Sequence, residues 1–316
     1  MNNYNECQLC PRNCKVDRTR GELGYCGESD KLKISSICPH FGEEPPISGI
    51  NGSGTVFFSG CSLKCLFCQN YQISIEGMGR IWSVPEVVDK IEKMYNTYKI
   101  HNVNFVTPDH FFPHTIEIVK SLRKRKINIP TLYNTSGYQK LSLLKKIKDY
   151  ADIYMPDFKY SDSNLSKKLS NCDDYPEIAI EAISEMIRQK GFLDSFENNT
   201  NIAEKGVLVR HLILPENVKN SIDVLTTLFL EFGKNIPISL MSQYYPPTRL
   251  EYINLNKDIS YLSHRIRSDA FRQIYEHAMS LGFKNMLVQF PYGFKTYKDK
   301  TDFVTDFRKK KPFKGK

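Results

Sequence analysis

The chain has 316 residues, 41% of them hydrophobic, enough to fill a sizeable core in one large domain or two small ones. Its formal charge is +9, but six basic groups and no acid fall in the last nine residues, Arg308 to Lys316, so the body is close to charge balance and a nucleic-acid role is not expected. No basic region followed by an apolar stretch opens the chain and no run of about 18 apolar residues occurs, so a cytoplasmic protein outside the membrane is expected.

Nine cysteines in a chain of this size and compartment point to metal or cluster ligation rather than disulfides. Eight precede residue 70, seven of them in two tight groups. The first group is Cys7, Cys10, Cys14 and Cys26, spaced C-x2-C-x3-C-x11-C. Four thiolates can bind a structural zinc ion or an auxiliary iron–sulfur cluster, and the spacing does not choose between them. Cys38 is a spare ligand or a buried thiol. Turn signals at Pro11, Gly21, Gly24, Pro39, Pro45 and Pro46 make residues 1–52 an irregular, ligand-stapled cap.

From residue 53 the pattern becomes strand alternating with helix. Strands are predicted at 54–59, 102–107, 130–134, 152–157, 207–214 and 238–242, with 286–290 as a further candidate. A helix begins at Val84, where Ser83, Pro85 and Glu86 supply a cap, an early proline and a first-turn acid. Other helices are predicted at 113–126, 140–150, 176–189, 221–232 and 268–281. Repeated strand–helix units imply a parallel sheet buried on both faces. The expected fold is α/β, a partial (β/α)6 barrel with a cysteine-rich N-terminal cap, and a doubly wound sheet is the other arrangement considered. The core is expected over 53–295 and a basic tail over 296–316, whose last nine residues, Arg308 to Lys316, read as solvated and disordered. Cys172, in a polar segment, reads as a free cysteine. In either arrangement ligands belong at the C-terminal ends of the strands.

Directly after the first core strand come Cys61, Cys65 and Cys68, spaced C-x3-C-x2-C. Three thiolates on one loop can ligate three corners of a cubane cluster, and the missing fourth leaves one iron open to a substrate or cofactor. A zinc knuckle or three buried free thiols are the alternatives, but zinc would want a fourth ligand and no His or Cys follows closely. With the aromatic Phe67 before the last cysteine, this spacing resembles the signature of radical S-adenosylmethionine enzymes. The chain is similar to the pyruvate formate-lyase activating-enzyme branch, and more so to paralogues that begin with an extra cysteine segment. The stretches that carry the likeness are CQLCPRNC, GSGTVFFSGCSLKCLFCQNYQIS, VNFVTPDHFFP, YNTSGY, YMPDFKY, VRHLILP and LMSQYYP, from Cys7 to about Phe294.

The resemblance implies a [4Fe-4S] cluster on Cys61, Cys65 and Cys68 whose open iron chelates S-adenosylmethionine, one-electron cleavage to a 5′-deoxyadenosyl radical, and hydrogen abstraction from a substrate. The radical chemistry belongs to cluster and cofactor, while the protein binds and orients. Asn70 matches a family asparagine near the cofactor; by itself it is a loop amide. Thr107 and Asp109 end the second strand where the superfamily usually has Gly-Gly-Glu, leaving Asp109 or a backbone carbonyl to take the cofactor's amino group. Asn134 and Thr135 end the third strand with groups suited to ribose hydroxyls or the carboxylate. Activating enzymes often have Asp at Asn134, so a monovalent cation there would lose one formal charge.

Asp157 and Lys159 share one face of an otherwise apolar strand. A charge pair inside a barrel is costly unless paired or functional, so the reading is either a buried salt bridge or, from the resemblance, a Lys159 near the cofactor carboxylate. Arg210, mid-strand among Val, Leu and Ile, is the second candidate for that carboxylate. His211 points the opposite way and reads as a core histidine. Ser242, Gln243 and Tyr244 could line the substrate mouth. The resemblance further implies an anaerobic oxidoreductase fed by flavodoxin or ferredoxin, acting on a glycine of a large partner enzyme. The alternatives are radical modification of a small molecule or peptide, and a metal-stabilised nucleic-acid-binding protein that cleaves no cofactor.

Overall fold

The computed structural model describes residues 4–252, 257–291, 305–309 and 312–313. In chain order the elements are β1 (Lys33–His40), α1 (Pro45–Ser48), β2 (Ser53–Phe58), α2 (Tyr71–Ser74), β3 (Arg80–Ile81), α3 (Val84–Tyr98), β4 (Val103–Val106), α4 (Phe112–Lys124), β5 (Thr131–Thr135) and α5 (Leu141–Ile147). They continue with β6 (Ile153–Pro156), α6 (Ser163–Ser170), α7 (Tyr175–Lys190), α8 (Asp194–Glu197), β7 (Gly206–Val207), β8 (Val209–Leu212), α9 (Val218–Phe232), β9 (Ile238–Met241), α10 (Ser268–Leu281) and β10 (Met286–Val288).

Strands β2, β4, β5, β6 and β7 pair in parallel in that order, as do β8, β9 and β10. A bridge between Asp157 and Arg210 joins the two sets. β7 and β8 are one strand broken at Leu208, its first half bonded to β6 and its second to β9. The result is the expected mixed α/β partial barrel, in which the further strand candidate at 286–290 forms β10 beside the six others.

Alternation along each strand decides what faces where. Val56, Phe58, Phe105, Tyr133, Tyr154, Val209, Ile238 and Leu240 point outward and meet the apolar stripes of the helices, among them Val87 and Ile91 of α3, Ile183 of α7 and Ile274 of α10. Helix α3 starts where the cap predicts, with a reciprocal Ser83–Glu86 capping box. The inward residues Leu132, Ile153 and Met155 form a second apolar cluster around Ile47 of α1. The Asn102 side chain donates to the Ile47 carbonyl at 2.8 Å and the Ala203 N–H to the Pro46 carbonyl at 2.8 Å, so this short helix is held at the N-terminal end of the sheet interior.

Two expectations are corrected. Residues 1–52 are not irregular throughout: β1 runs antiparallel to β2, from Ile34 opposite Phe58 to His40 opposite Ser53, and extends the sheet. Nor is the tail wholly solvated. Phe307 is buried against Phe57 at 5.4 Å between ring centroids, Phe313 lies 5.0 Å from the same ring, and the Phe307 N–H donates to the Gln72 side chain at 2.7 Å. Apolar rings inside a basic segment supply the burial that its charges cannot. Residues 292–304, 310, 311 and 314–316, which include most of the predicted tail, lie outside the described residues.

Candidate active site

β2 ends at Phe58, and Gly60, with a φ of +81°, starts the turn into the cysteine loop. A Cβ there would stand 2.8 Å from the Cys26 carbonyl oxygen and 2.5 Å from Glu28 Cγ, so only glycine fits. Cys61 and Cys65 are buried and Cys68 half-buried, all as free thiols. Each sulfur accepts a hydrogen bond: Cys61 from the Leu63 N–H at 3.3 Å, Cys65 from the Ser170 hydroxyl at 3.0 Å and Cys68 from the Ser74 hydroxyl at 3.2 Å. Arg12 clamps the loop from outside, donating to the carbonyls of Ser62 and Ser170 at 2.8 Å each. Phe67 is buried edge-on to Tyr160 and Tyr244. Burial pushes the Cys61 thiol up, as does its neighbour Cys65. Burial and Cys65 also raise Cys68, against which the Ser74 hydroxyl and the Lys159 charge work. Lys159 is therefore within electrostatic reach of the cysteine loop.

The other predicted residues fall at neighbouring strand ends. Arg210 of β8 donates to Asp157 at 2.9 Å and to the Asn134 side chain at 2.6 Å, and Lys159 pairs with the other Asp157 oxygen. Burial acts to raise Asp157, but Arg210 and Lys159 outweigh it and hold the carboxyl below its usual range. Burial likewise disfavours the Arg210 charge, and Asp157, Glu44 and Glu43 more than restore it. The guanidinium thus fills the space between Asn134 and Asp157, where the sequence raised the question of a monovalent cation. Its fork is also spent on protein groups. Lys159 has donors to spare.

Thr107, with φ of +56°, donates its N–H to the Asn134 carbonyl at 2.9 Å, joining the ends of β4 and β5. Thr135 Oγ1 is buried without a partner. Asn70 precedes α2 and makes no capping bond with its side chain. His211 points outward between the Phe158 carbonyl at 2.8 Å and Ser221 Oγ at 2.9 Å, a satisfied core histidine. Tyr244 is buried, with its hydroxyl donated to the Leu262 carbonyl, so it packs rather than lines a mouth.

Asp109 is buried, with one oxygen accepting from the Gln139 side chain at 2.6 Å and the other unpartnered. Burial pushes its carboxyl up to about 7. Below its ordinary value of 3.8 the group is protonated whether the chain is folded or not; between there and 7 only the folded form keeps the proton, so the native state loses stability as pH rises, and above 7 the penalty is constant. Asp109→Asn removes the penalty. The variant's melting temperature is expected to match wild type near pH 4 and to pull ahead up to about pH 7; parallel curves would show that Asp109 ionises freely in the fold.

Sequence reasoning missed Glu43 and Glu44. Glu43 Oε2 lies 3.6 Å from Arg210 Nη1 and its Oε1 accepts from the Asn104 side chain at 2.9 Å. Burial raises both carboxyls, and Arg210 pulls them back only in part. Two adjacent acids before Pro45-Pro46 read locally as an exposed turn; the one signal was an unpaired Arg210 in an apolar strand, which needed anions from somewhere. Among the described residues no three His, Cys, Asp or Glu side chains converge closely enough to hold a single metal ion. Three free cysteine sulfurs on one loop match in number the protein ligands of a cubane cluster with one iron left open.

No described helix is long and apolar enough to cross a membrane. The profile of the Radical SAM superfamily matches residues 55–221, more than half of the chain. An uncharacterized protein of Methanocaldococcus jannaschii is 30% identical over 271 residues, covering 82% of this chain and 72% of that one. Among solved structures, SuiB of Streptococcus suis aligns at 13% identity with a TM-score of 0.49, covering 73% of this chain and 47% of SuiB, so the chain spans about half the length of that protein. A domain of pyruvate-formate lyase-activating enzyme from Bacteroides vulgatus aligns at 14% identity with a TM-score of 0.36, covering 56% of this chain and 92% of that domain. By its profile match over more than half of its length, on a parallel α/β fold, the chain belongs to the radical SAM superfamily of enzymes, which use a [4Fe-4S] cluster and S-adenosylmethionine.

Proposed function

We propose that Cys61, Cys65 and Cys68 hold the cluster and that the protein is an activating enzyme of the pyruvate formate-lyase type, which takes a hydrogen atom from a glycine of a partner enzyme. The observation that carries the first half is the set of three hydrogen-bonded thiols on one loop, directly past β2 and beside a lysine. When bound, the cluster supplies one electron to the sulfonium of S-adenosylmethionine, yielding methionine and the 5′-deoxyadenosyl radical that abstracts hydrogen. The chain's own residues bind and orient.

Lys159 takes the cofactor carboxylate, because its Nζ keeps free donors while Arg210 is occupied; Arg210 and Asp157 are positioning residues for it. Thr135, whose hydroxyl lacks a partner, and Asn134 face the ribose. Asn70 and Phe67 flank the adenosyl group, and the amino group is met at the Thr107–Asp109 corner by the unpartnered Asp109 oxygen or a backbone carbonyl. Residues 53–295 form the core, 1–52 its cap and 296–316 its tail, in a cytoplasmic protein reduced by flavodoxin or ferredoxin.

One observation favours a small-molecule or peptide substrate instead. Asn13 of the cap bonds the Lys140 side chain and the Arg12 guanidinium lies 5.4 Å above the Tyr138 ring, so the cap reaches the loop after β5 and narrows that side of the mouth. Anaerobic incubation with S-adenosylmethionine, reductant and candidate partner enzymes separates the two. A glycyl-radical EPR doublet is expected from the activase; cofactor cleavage without a doublet across the candidates selects the smaller substrate.

A further inference from the structure

The proposed chemistry leaves the four cap cysteines unused. Cys7, Cys10 and Cys26 are buried and Cys14 is half-buried. The Cys7 N–H donates to the Val16 carbonyl at 3.0 Å and the Lys15 N–H to the Cys7 carbonyl at 2.9 Å, which folds the segment back around Cys10 and Cys14. Gly24 then brings Cys26 to the same place: a Cβ on it would stand 3.6 Å from Cys14 Sγ and 3.5 Å from Cys26 Sγ, so both sulfurs border one small space. Cys14 Sγ accepts the Tyr25 N–H at 3.2 Å. Burial pushes the Cys10 thiol up to about 12, and burial raises Cys26 as well.

Against them lies Arg18, fully buried. Its guanidinium donates to the carbonyls of Ser29 at 3.1 Å and His110 at 2.9 Å, approaches Cys7 Sγ at 3.7 Å, and sits over the rings of Tyr4 and Phe111. Among the described residues it makes no ion pair with a carboxylate; Glu28, which feels its charge, is paired with Lys33 at 3.6 Å. A buried cation without a counter-ion costs several kcal/mol. The sulfur in contact with Arg18 is that of Cys7, and thiolates gathered on a metal centre would set negative charge against the guanidinium.

We propose that Cys7, Cys10, Cys14 and Cys26 ligate a second [4Fe-4S] cluster, with Arg18 as its buried counter-cation. Four thiolates leave the net charge of such a cluster negative, which is what Arg18 lacks. With every iron held by protein this cluster has no open corner for a cofactor. It is also adjacent to the first: the Cys61 N–H donates to the Cys26 carbonyl at 3.4 Å, so a ligand of one centre is hydrogen-bonded through the backbone to a ligand of the other.

The test uses the full chain, reconstituted anaerobically with iron and sulfide. The variant C61A/C65A/C68A is expected to keep about four irons and four sulfides per chain and an EPR signal on reduction, and the further change C10A/C26A to remove them. A triple variant that holds zinc and no sulfide, or no metal, overturns the proposal. Arg18→Gln in the triple background tests the counter-cation: iron content stays and the midpoint potential falls, because reduction adds negative charge where a positive one has been removed. An unchanged potential removes Arg18 from the proposal. None of these readings requires S-adenosylmethionine, so they stand or fall apart from the proposed activity.

Discussion

Replacing Cys61, Cys65 and Cys68 together by alanine is expected to lower 5′-deoxyadenosine formation by more than ~100-fold, since even outer partners of metal ligands are worth about 10–100-fold. The three sulfurs come from one loop whose entry is fixed by Gly60 and whose outer side is held by Arg12, so the variant should keep the fold and lose the centre. Iron and sulfide should fall by one cluster, and near-UV circular dichroism should be retained. Cleavage of S-adenosylmethionine at the wild-type rate by a well-folded triple variant would place the cluster elsewhere in the chain. Ser170 and Ser74, which donate to Cys65 and Cys68, are the residues through which gentler changes would act.

Asp157→Ala is expected to cost about 3–5 kcal/mol in unfolding free energy, the penalty for stranding buried charge. Arg210 and Lys159 have side chains only 15% and 17% exposed and both use this carboxylate. Adding Lys159→Met to Asp157→Ala should recover part of the loss, because Lys159 is the cation left without a carboxylate while Arg210 keeps Glu43 at 3.6 Å. Urea unfolding midpoints measure both steps. A single-variant cost below about 1 kcal/mol would show that water reaches these cations and that the network is closer to a surface ion pair.

The parts of this architecture that a local pattern encodes were legible beforehand. Helix α3 announces itself through Ser83, Pro85 and Glu86, and α10 through the buried Phe271, Ile274 and Ala278. The strands after residue 53 are apolar runs bounded by turn residues, and alternation separated the inward Arg210 from the outward His211. What escaped depended on partners distant in the chain. KISSICPH carries a proline and a cysteine amid turn signals, and becomes β1 because β2 offers it an edge. Glu43 and Glu44 acquire meaning through Arg210, and Phe307 through Phe57. Cys172, read as a free cysteine in a polar segment, is free but buried within the main core, its thiol pushed up to about 12 by burial.

The way α1 is seated also bears on how the molecule assembles during synthesis. Ile47 needs Leu132, Ile153 and Leu208, the Pro46 carbonyl needs Ala203, and Glu43 needs Arg210. A ribosome delivers residues 42–52 long before any of these, so this stretch must wait, unplaced, until most of the barrel has emerged. Docking it is therefore a late event, and the nascent chain carries its two cysteine sets before the wall that will stand between them and the surrounding water is finished.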